Sequence, residues 1–510
     1  MNEKFLKKSY YLWTAFVVIL CYGFTLTNFS MGIDDEAFNG YFENNALLSQ
    51  GRWGYLIMKK LFNSYEFLPF WRDFIAICLV IFGLTLFNLI FIKYSDGLWN
   101  NTLSIIFTCI AVSFPYIASL FIFMMTTVET GLVYVLVAFS VYFYFYWSFL
   151  GKHWVNLIYS VFILAFAIAF SETAPVVFLL IFFITYFLRV VVNKDTKLSV
   201  FFLSILKTVA MILTSIALWK VGGNFFQRIL HVGKASYVNN YICYDFSGFV
   251  PLLRSAKRSV LMQYQLILTG IRADYATKIV LMMTCVALMS ITILAIKNKK
   301  INIVLYGLCI VVTPFALPII TGNPSLPHRV LISFLFLVGF SFCLLYILFR
   351  DADIRGFKVR YIVLFLVILN VFYQSKQMNE IFFADYKSYQ YDVAMMTQID
   401  HDIKAITDNN KIIFVGVPKD FNQVVEPSVG NSLFVWDRDC TLELELGSYR
   451  LYNFFQQHGY DIFPPQSYEK TKLKNQSENM NIWPKQGSIK DFNEYVIVKL
   501  GSSFLEKAGK

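Results

Sequence analysis

The sequence predicts a mainly α protein, in which a polytopic transmembrane helical bundle precedes a small C-terminal α/β domain. Of its 510 residues, 57% are hydrophobic and 15% are charged, whereas about a quarter of a soluble domain is charged. Charges are missing from a series of apolar runs, several of which reach the roughly 20 residues that a helix needs to cross a bilayer. From about residue 376 the chain becomes polar and rich in Asp, Asn and Gln. We predict a membrane domain over residues 1–376 and a separate domain over residues 377–510.

About eleven apolar segments are candidate membrane spans. The first resembles a signal sequence because MNEKFLKKSYY precedes it, but it has no A-x-A cleavage site, so we predict an uncleaved anchor. Lys207 interrupts the seventh segment and is either a side chain that reaches the membrane surface or a buried functional charge. The predicted spans are 12–30, 74–92, 102–122, 130–150, 154–170, 174–190, 203–221, 278–296, 301–320, 330–349 and 361–376.

Lysines and arginines predict how the spans are oriented. With eleven spans, the basic clusters of alternate connections all fall on one side, which the positive-inside rule assigns to the cytoplasm. The N-terminus is then cytoplasmic, and the C-terminus lies outside together with the long connections at 31–72, 222–277 and 321–329. Within the second of these, SVLMQYQLILTGI is too short to cross a bilayer and predicts an interfacial or re-entrant helix.

Three patterns predict the structure of the C-terminal domain. YQYDVAMMTQIDHDIKAI has helical spacing, whereas KIIFVGVP and NEYVIVKL have the short apolar runs of buried strands. No Gly-rich phosphate loop or nucleophile motif accompanies them, so we interpret this domain as a lid or docking module.

The charge and the metal-ligating residues exclude other classes of protein. The net charge of +11 comes from short clusters between apolar runs, which gives no continuous basic face for nucleic acid. The five histidines are scattered and the eight cysteines show no CxxC spacing, so we predict no metal site and no cofactor. Cys243 and Cys440 lie in polar segments on the predicted outer side, where they either form a disulfide or are unrelated thiols.

Three consecutive acids follow the first span directly. Asp34, Asp35 and Glu36 lie in the stretch GIDDE, at the predicted outer mouth of that span. Carboxylates there are costly unless they face water, a cation or a substrate. Either Asp34 caps a helix whose dipole its neighbours stabilise, or one carboxylate performs chemistry while another orients it. Adjacent helical residues point about 100° apart, so the three acids cannot all face one substrate atom.

The same connection contains an arginine between a glycine and a tryptophan. In GRWG, Arg52 either binds a phosphate in two-pronged geometry, with glycine allowing close approach, or forms an interfacial anchor with Trp53. An acid that accepts a hydroxyl proton, together with a cation for a phosphate leaving group, is suited to transfer from a phosphate-linked donor.

Further residues on the predicted outer side extend this candidate site. Each has an alternative as a topological, interfacial, helix-capping or aromatic-belt residue. Glu172 and Glu129 are isolated acids at the outer ends of two predicted spans. The candidate phosphate ligands are Arg52, His328, Arg329, Arg228 and Lys234, and the further candidate substrate contacts are Trp53, Tyr55 and Glu172.

The motifs GIDDE and GRWG, with about eleven spans and an outer C-terminal domain, resemble the Gtr-type, serotype-converting O-antigen glucosyltransferases of bacteria and their phages. That family belongs to the polytopic GT-C glycosyltransferases, and the acids at 34–36 match its acidic motif. The resemblance implies transfer of glucose from undecaprenyl-phosphate-glucose to lipid-linked O-antigen, on the periplasmic face of the inner membrane. It also implies that the product is a lipopolysaccharide of altered serotype.

Two other classes of protein stay open at this point. A transporter or flippase for a lipid-linked saccharide usually has paired charges at the membrane midplane and repeated halves, and neither is visible in the sequence. A membrane O-acyltransferase commonly uses an intramembrane histidine, whereas every histidine here lies in a predicted loop or the tail.

Overall fold

The chain forms two compact units, which we call the helical unit and the composite unit. The helical unit contains Met1–Leu26, Tyr41–Phe121 and Thr126–Asn379, and the composite unit contains Thr27–Gly40, Ile122–Met125 and Glu380–Lys510. The computed structural model describes residues 6–32, 34–37, 46–62, 68–151, 153–192, 197–235, 243–244, 247–269, 277–323, 326, 328–354, 356–416, 418, 433–434 and 445–501.

Apolar α-helices make up most of the helical unit. A short antiparallel hairpin, β1 (Asp353–Ile354) and β2 (Phe357–Lys358), precedes the last of them. The helices are α1 (Lys8–Thr27), α2 (Ala46–Ser49), α3 (Trp53–Phe62), α4 (Pro69–Tyr94), α5 (Asn101–Ser113), α6 (Ala118–Phe121), α7 (Thr127–Phe145), α8 (Trp154–Ile168), α9 (Ala174–Val192), α10 (Leu198–Ile229), α11 (Phe249–Thr269), α12 (Thr277–Asn298), α13 (Ile301–Val312), α14 (Ala316–Thr321), α15 (Phe334–Phe349) and α16 (Arg360–Lys404).

Every predicted span falls on a helix. Within the described residues, eight helices are long and apolar enough to cross a membrane, or nine if one bent pair counts as a single span. The other two predicted spans correspond to the shorter apolar helices α8 and α15. An integral membrane bundle is therefore supported, and eleven crossings stays a prediction. Helix α11 covers the segment predicted to be interfacial or re-entrant, and it is not among the candidate spans.

The third predicted span is broken rather than straight. Helix α5 ends at Ser113, and the following helical turns, Pro115–Phe121, are bent from it by 49°. Pro115 has no backbone N–H, and its ring disfavours a helical residue before it, which explains the break. In the seventh span, Lys207 is exposed and its Nζ lies 5.4 Å from the ring centre of Trp147, so Lys207 is not a buried charge.

Glycines allow α4 and α7 to pack closely. A Cβ on Gly83 would lie 2.6 Å from the Cβ of Tyr134, and a Cβ on Gly131 would lie 2.8 Å from the carbonyl oxygen of Ala76. Small residues let helix backbones approach where lipid gives no hydrophobic driving force between helices. This contact places the beginnings of α4 and α7 side by side.

Polar groups also join helices inside the bundle. The hydroxyl of Tyr10 on α1 lies 3.0 Å from that of Thr85 on α4 and 3.2 Å from that of Thr108 on α5. Asn88 on α4 donates to the hydroxyl of Thr108 at 2.9 Å. All of these side chains are buried, so each hydrogen bond satisfies a polar group that would otherwise be unpaired in an apolar interior.

Helix α16 is much longer than the predicted span at 361–376. It runs for 45 residues, from Arg360 in the helical unit to Lys404 in the composite unit. No glycine or proline interrupts this stretch, and buried residues such as Met378, Ile381 and Phe382 continue the helical period beyond the apolar run. The end of the apolar run at residue 376 therefore does not mark the end of the helix.

The composite unit contains a three-stranded sheet. Strand β3 (Ile412–Val415) pairs in parallel with β5 (Val496–Lys499), which pairs antiparallel with β4 (Ile489–Asp491). The predicted strands in KIIFVGVP and NEYVIVKL and the helix before them are confirmed. Two further helices, α17 (Glu445–Gln457) and α18 (Lys470–Glu478), complete the described part of this unit. The core beneath α18 consists of Ile413, Val415, Leu473, Met480, Tyr495 and Ile497.

Two segments from the N-terminal part of the sequence also belong to the composite unit. The ring of Phe29 meets that of Tyr389 edge to face at 5.2 Å, and the hydroxyl of Ser30 donates to Asp385 at 2.5 Å. Both partners lie on the C-terminal half of α16. The last residues of the first predicted span therefore contact the C-terminal half of α16, which the sequence pattern did not predict.

Candidate active site

The three acids form a tight turn in the composite unit. We call residues 34–37 the acid turn, in which Asp35–Ala37 forms one turn of 3₁₀-helix and the amide of Ala37 donates to the carbonyl of Asp34 at 3.1 Å. Asp34 has a φ of 77°, in the left-handed region, which Asp tolerates better than most residues because its short side chain can hydrogen-bond locally. The turn presents the three carboxylates to different partners.

Asp35 holds the acid turn in place. Its side chain is fully buried and accepts hydrogen bonds from the amides of Met125 at 2.9 Å, Gly32 at 3.1 Å and Met124 at 3.4 Å. Burial raises the pKa of Asp35 well above its usual value, and the three amides oppose this rise. A Cβ at Gly32 would overlap the carbonyl oxygen of Ile122, so only glycine permits this close approach. The Asp35 carboxylate thus fixes the acid turn against two backbone segments.

Arg450 links the other two acids. Its Nη1 lies 2.6 Å from Oε1 of Glu36, and its Nη2 lies 2.7 Å from Oδ1 of Asp34. The Glu36 side chain is completely buried and that of Arg450 is 16% exposed, whereas that of Asp34 is 29% exposed. Of the three carboxylates, Asp34 is consequently the one that a substrate can reach.

The environment of Glu36 keeps its proton affinity high. Burial raises the pKa of Glu36 to about 7 and nearby Asp34 adds to the rise, while the guanidinium of Arg450 opposes it. Its second oxygen, Oε2, is buried and accepts no hydrogen bond within the described residues. Glu36 is therefore a buried acid with a raised pKa beside Asp34, and perturbed acids of this kind are typical of functional sites.

Helix α17 positions Arg450 over the acid turn. Gln457, two helical turns further on, donates its side-chain amide to the carbonyl of Glu36. Residues seven apart lie on nearly the same helix face, so Arg450 and Gln457 both reach the turn. The opposite side of the helix is anchored to the sheet: Tyr452 donates to the carbonyl of Ile412 at 2.6 Å. The sequence analysis missed Arg450, because no local motif marks it.

The GRWG motif lies in the helical unit, where Arg52 is paired with Glu172. The guanidinium Nε and Nη2 lie 3.3 Å and 3.2 Å from the two carboxylate oxygens, and the side chains are 30% and 45% exposed. The two-pronged geometry predicted for a phosphate is thus taken by a carboxylate. Glu172 was interpreted as an isolated acid, but it has an arginine partner.

The rest of GRWG is held by reciprocal hydrogen bonds with α10. The indole of Trp53 donates to the carbonyl of Trp219, and the indole of Trp219 donates to the carbonyl of Gly51, both at 3.0 Å. The Trp53 ring packs on Phe226 and Phe166, each with ring centres 5.8 Å apart. These contacts fix the backbone on both sides of Arg52, and they account for Trp53 without a sugar ligand.

A buried ion pair lies at the same end of the bundle as Tyr55. Arg72 on α4 donates to Glu129 on α7 at 2.8 Å, and both side chains are almost completely buried. Tyr55 is 2% exposed, and charges on Arg52, Arg72, Glu129 and Glu172 all act on it. Glu129 is therefore not isolated either, and Tyr55 is inaccessible as a sugar contact in this arrangement.

The other candidate phosphate ligands that the structure describes lie on the surface. Arg228 in the last turn of α10, Lys234 after it and Arg329 are exposed. The side chain of His328 and all of Cys440 lie outside the described residues, so the Cys243–Cys440 disulfide stays a prediction. Among the residues that the structure describes, no group of three or more His, Cys, Asp or Glu could hold a metal ion.

The apolar helices and the buried acid turn define an integral membrane protein with a carboxylate site. The family model described as glucosyl transferase GtrII matches residues 23–346, which is more than half of the chain and includes the acid turn and GRWG. The chain therefore belongs to the GtrII glucosyl transferase family and is a membrane glucosyltransferase. No curated protein and no solved structure matches it.

Replacement of Asp35 by asparagine should loosen the acid turn. An Asn side chain turns one amide toward backbone N–H donors, and the lost charge-assisted hydrogen bond is worth about 3 kcal/mol. Hydrogen–deuterium exchange of the amides of Gly32, Met124 and Met125 should then accelerate roughly 100-fold. Asp408→Asn, at an exposed position of the same unit, is the matched control. Unchanged exchange in Asp35→Asn would show that Asp35 does not hold the turn.

Proposed function

We propose that the protein transfers a glucosyl unit from undecaprenyl-phosphate-glucose to lipid-linked O-antigen on the periplasmic face of the bacterial inner membrane, changing the serotype of the lipopolysaccharide. Membership of the glucosyl transferase family supports glucosyl transfer, and the apolar helices support a membrane location. The observation that carries the proposal to particular atoms is the accessible carboxylate of Asp34, held by Arg450 in an otherwise buried turn.

The proposed donor follows from the proposed location. There is no pool of nucleotide sugars outside the inner membrane, so a glucosyl unit must arrive on a lipid carrier. The positive-inside distribution of lysine and arginine supports a cytoplasmic N-terminus and an outer C-terminal segment. That orientation places the acid turn outside the cytoplasm, where a lipid-linked donor and a lipid-linked acceptor are both available.

In the proposed reaction, Asp34 acts as the general base. Its carboxylate takes the proton of an acceptor hydroxyl while the hydroxyl oxygen forms a bond to the anomeric carbon of glucose. The bond between that carbon and the phosphate oxygen breaks at the same time, and undecaprenyl phosphate leaves with the electron pair. One carboxylate suffices because a single displacement needs no covalent enzyme intermediate, and the anomeric configuration is inverted.

Arg52 is the proposed ligand of the departing phosphate. Its Nε and Nη2 hold Glu172 in the planar, two-pronged geometry that a phosphate also takes. A partly exposed ion pair of this kind contributes about 1 kcal/mol or less, so a phosphate with greater charge can replace the carboxylate. The reciprocal Trp53–Trp219 hydrogen bonds keep the backbone of Arg52 in place during that exchange.

The rival interpretations have less support. Membership of a glucosyl transferase family favours group transfer over a lipid-saccharide flippase or an O-acyltransferase. No cofactor or metal is required by the proposed reaction, because a guanidinium can stabilise the negative charge that develops on the phosphate.

Asp34→Asn should abolish transfer while leaving the fold intact. Asparagine tolerates the left-handed backbone at this position and still accepts a hydrogen bond from Arg450, but it cannot take a proton. We expect glucosyl transfer to fall by about 10²–10⁴-fold, the usual contribution of a general base. The assay follows glucose from undecaprenyl-phosphate-glucose into lipid-linked O-antigen. Normal transfer by Asp34→Asn at wild-type protein levels would exclude Asp34 as the base, with Asp408→Asn as control.

Arg52→Ala should raise the donor concentration that half-saturates the enzyme by about 10–100-fold, because charge-assisted hydrogen bonds to the phosphate are lost. Arg52→Lys should also be impaired, since an ammonium cannot make the two-pronged contact. Glu172→Gln should leave donor saturation unchanged or improve it, because it removes the competing carboxylate. The control is Arg350→Ala, which breaks a comparable exposed pair with Asp351 on the predicted cytoplasmic side. Wild-type donor saturation in Arg52→Ala would remove Arg52 from the site.

A further inference from the structure

The C-terminal helix α17 reaches the acid turn through a single guanidinium that is shared by two acids. Arg450 uses one terminal nitrogen for Glu36 and the other for Asp34, at 2.6 Å and 2.7 Å. One of these partners is completely buried, so the contact differs from the flexible surface pairs that contribute little. Removing one member of a buried pair leaves an uncompensated charge and is strongly unfavourable.

The position of Arg450 depends on two surfaces of α17. Toward the acid turn, Gln457 donates to the carbonyl of Glu36. Toward the sheet, Phe455 stacks on Phe414 of β3 with ring centres 5.5 Å apart, and Tyr452 donates to the carbonyl of Ile412. The sheet thereby sets the depth at which the guanidinium meets Asp34 and Glu36.

We propose that Arg450 is a positioning residue of the transfer reaction, which holds the carboxylate of Asp34 in place by joining it to the buried Glu36. The C-terminal segment then supplies part of the active site, rather than the lid or docking module that the sequence analysis favoured. Arg450 lies beyond the residues that the family model matches, which end at 346. This inference rests on the proposed glucosyl transfer and on Asp34 as its base.

A positioning residue acts through the group that it holds. If Arg450 acts through Asp34, replacing Arg450 costs nothing further once Asp34 can no longer take a proton, so the two effects are not additive. A purely structural role for Arg450 would instead lower the residual transfer of Asp34→Asn by the same factor as that of wild type.

The test compares transfer by wild type, Arg450→Gln, Arg450→Lys, Asp34→Asn and the double variant Asp34→Asn/Arg450→Gln, at equal amounts of folded protein and with undecaprenyl-phosphate-glucose as donor. Arg450→Gln should lose about tenfold or more, because the base is no longer held in place. Arg450→Lys should be less impaired than Arg450→Gln but slower than wild type, because one ammonium cannot hold two carboxylates in a fork. The double variant should be no slower than Asp34→Asn.

The outcomes separate this inference from the proposed function. Wild-type transfer by Arg450→Gln, or a double variant that is slower than Asp34→Asn by the factor seen for Arg450→Gln alone, would overturn the positioning role and leave the base assignment intact. Full activity of Asp34→Asn would instead overturn the base assignment. If Arg450→Gln fails to fold, the same comparison with Arg450→Lys, alone and combined with Asp34→Asn, decides.

Discussion

Three adjacent carboxylates in a largely buried turn repel one another, and the arrangement of the composite unit follows from how each is compensated. Asp35 is satisfied by backbone amides of residues 32, 124 and 125, which draws two distant segments together. Asp34 and Glu36 share Arg450, which requires α17 to lie over the turn. The sheet of the C-terminal segment is in turn needed to hold α17. The candidate catalytic carboxylate thus depends on parts of the chain more than 400 residues apart.

In the helical unit, charged side chains are compensated in pairs. Arg72 and Glu129 neutralise each other where the beginnings of α4 and α7 meet, so neither charge is left alone in an apolar environment. Arg52 and Glu172 form a second pair, but theirs is partly open to solvent. The two pairs differ in exposure, and the partly open pair is the one that we propose a phosphate displaces.

Much of the fold could be predicted because membrane helices carry a strong local signal. Long uncharged runs located the helices on which the eleven predicted spans fall, and short apolar runs located β3 and β5. Boundaries were less predictable: α16 continues for 28 residues past the apolar run, because helical spacing persists after the hydropathy falls. The break at Pro115 carried a visible signal, but whether a proline bends or ends a span depends on its neighbours.

The candidate site was predictable only in part. The acids and Arg52 stand out because charges at the end of an apolar run are costly and therefore conspicuous. Their partners do not stand out: Glu172 is 120 residues from Arg52, and Arg450 is 414 residues from Glu36. Pairings at such separations are determined by tertiary structure and leave no local pattern. The three acids likewise differ in burial and in their partners, and their adjacent positions in the sequence do not reveal these differences.

Mass spectrometry of lipid-linked O-antigen, incubated with the purified protein and undecaprenyl-phosphate-glucose, measures the proposed reaction directly. We predict that glucose is added to the O-antigen and that undecaprenyl phosphate is released in equal amount, with wild-type protein and not with Asp34→Asn. Unmodified O-antigen, with all of the glucose still on undecaprenyl phosphate, would contradict glucosyl transfer between these two lipids.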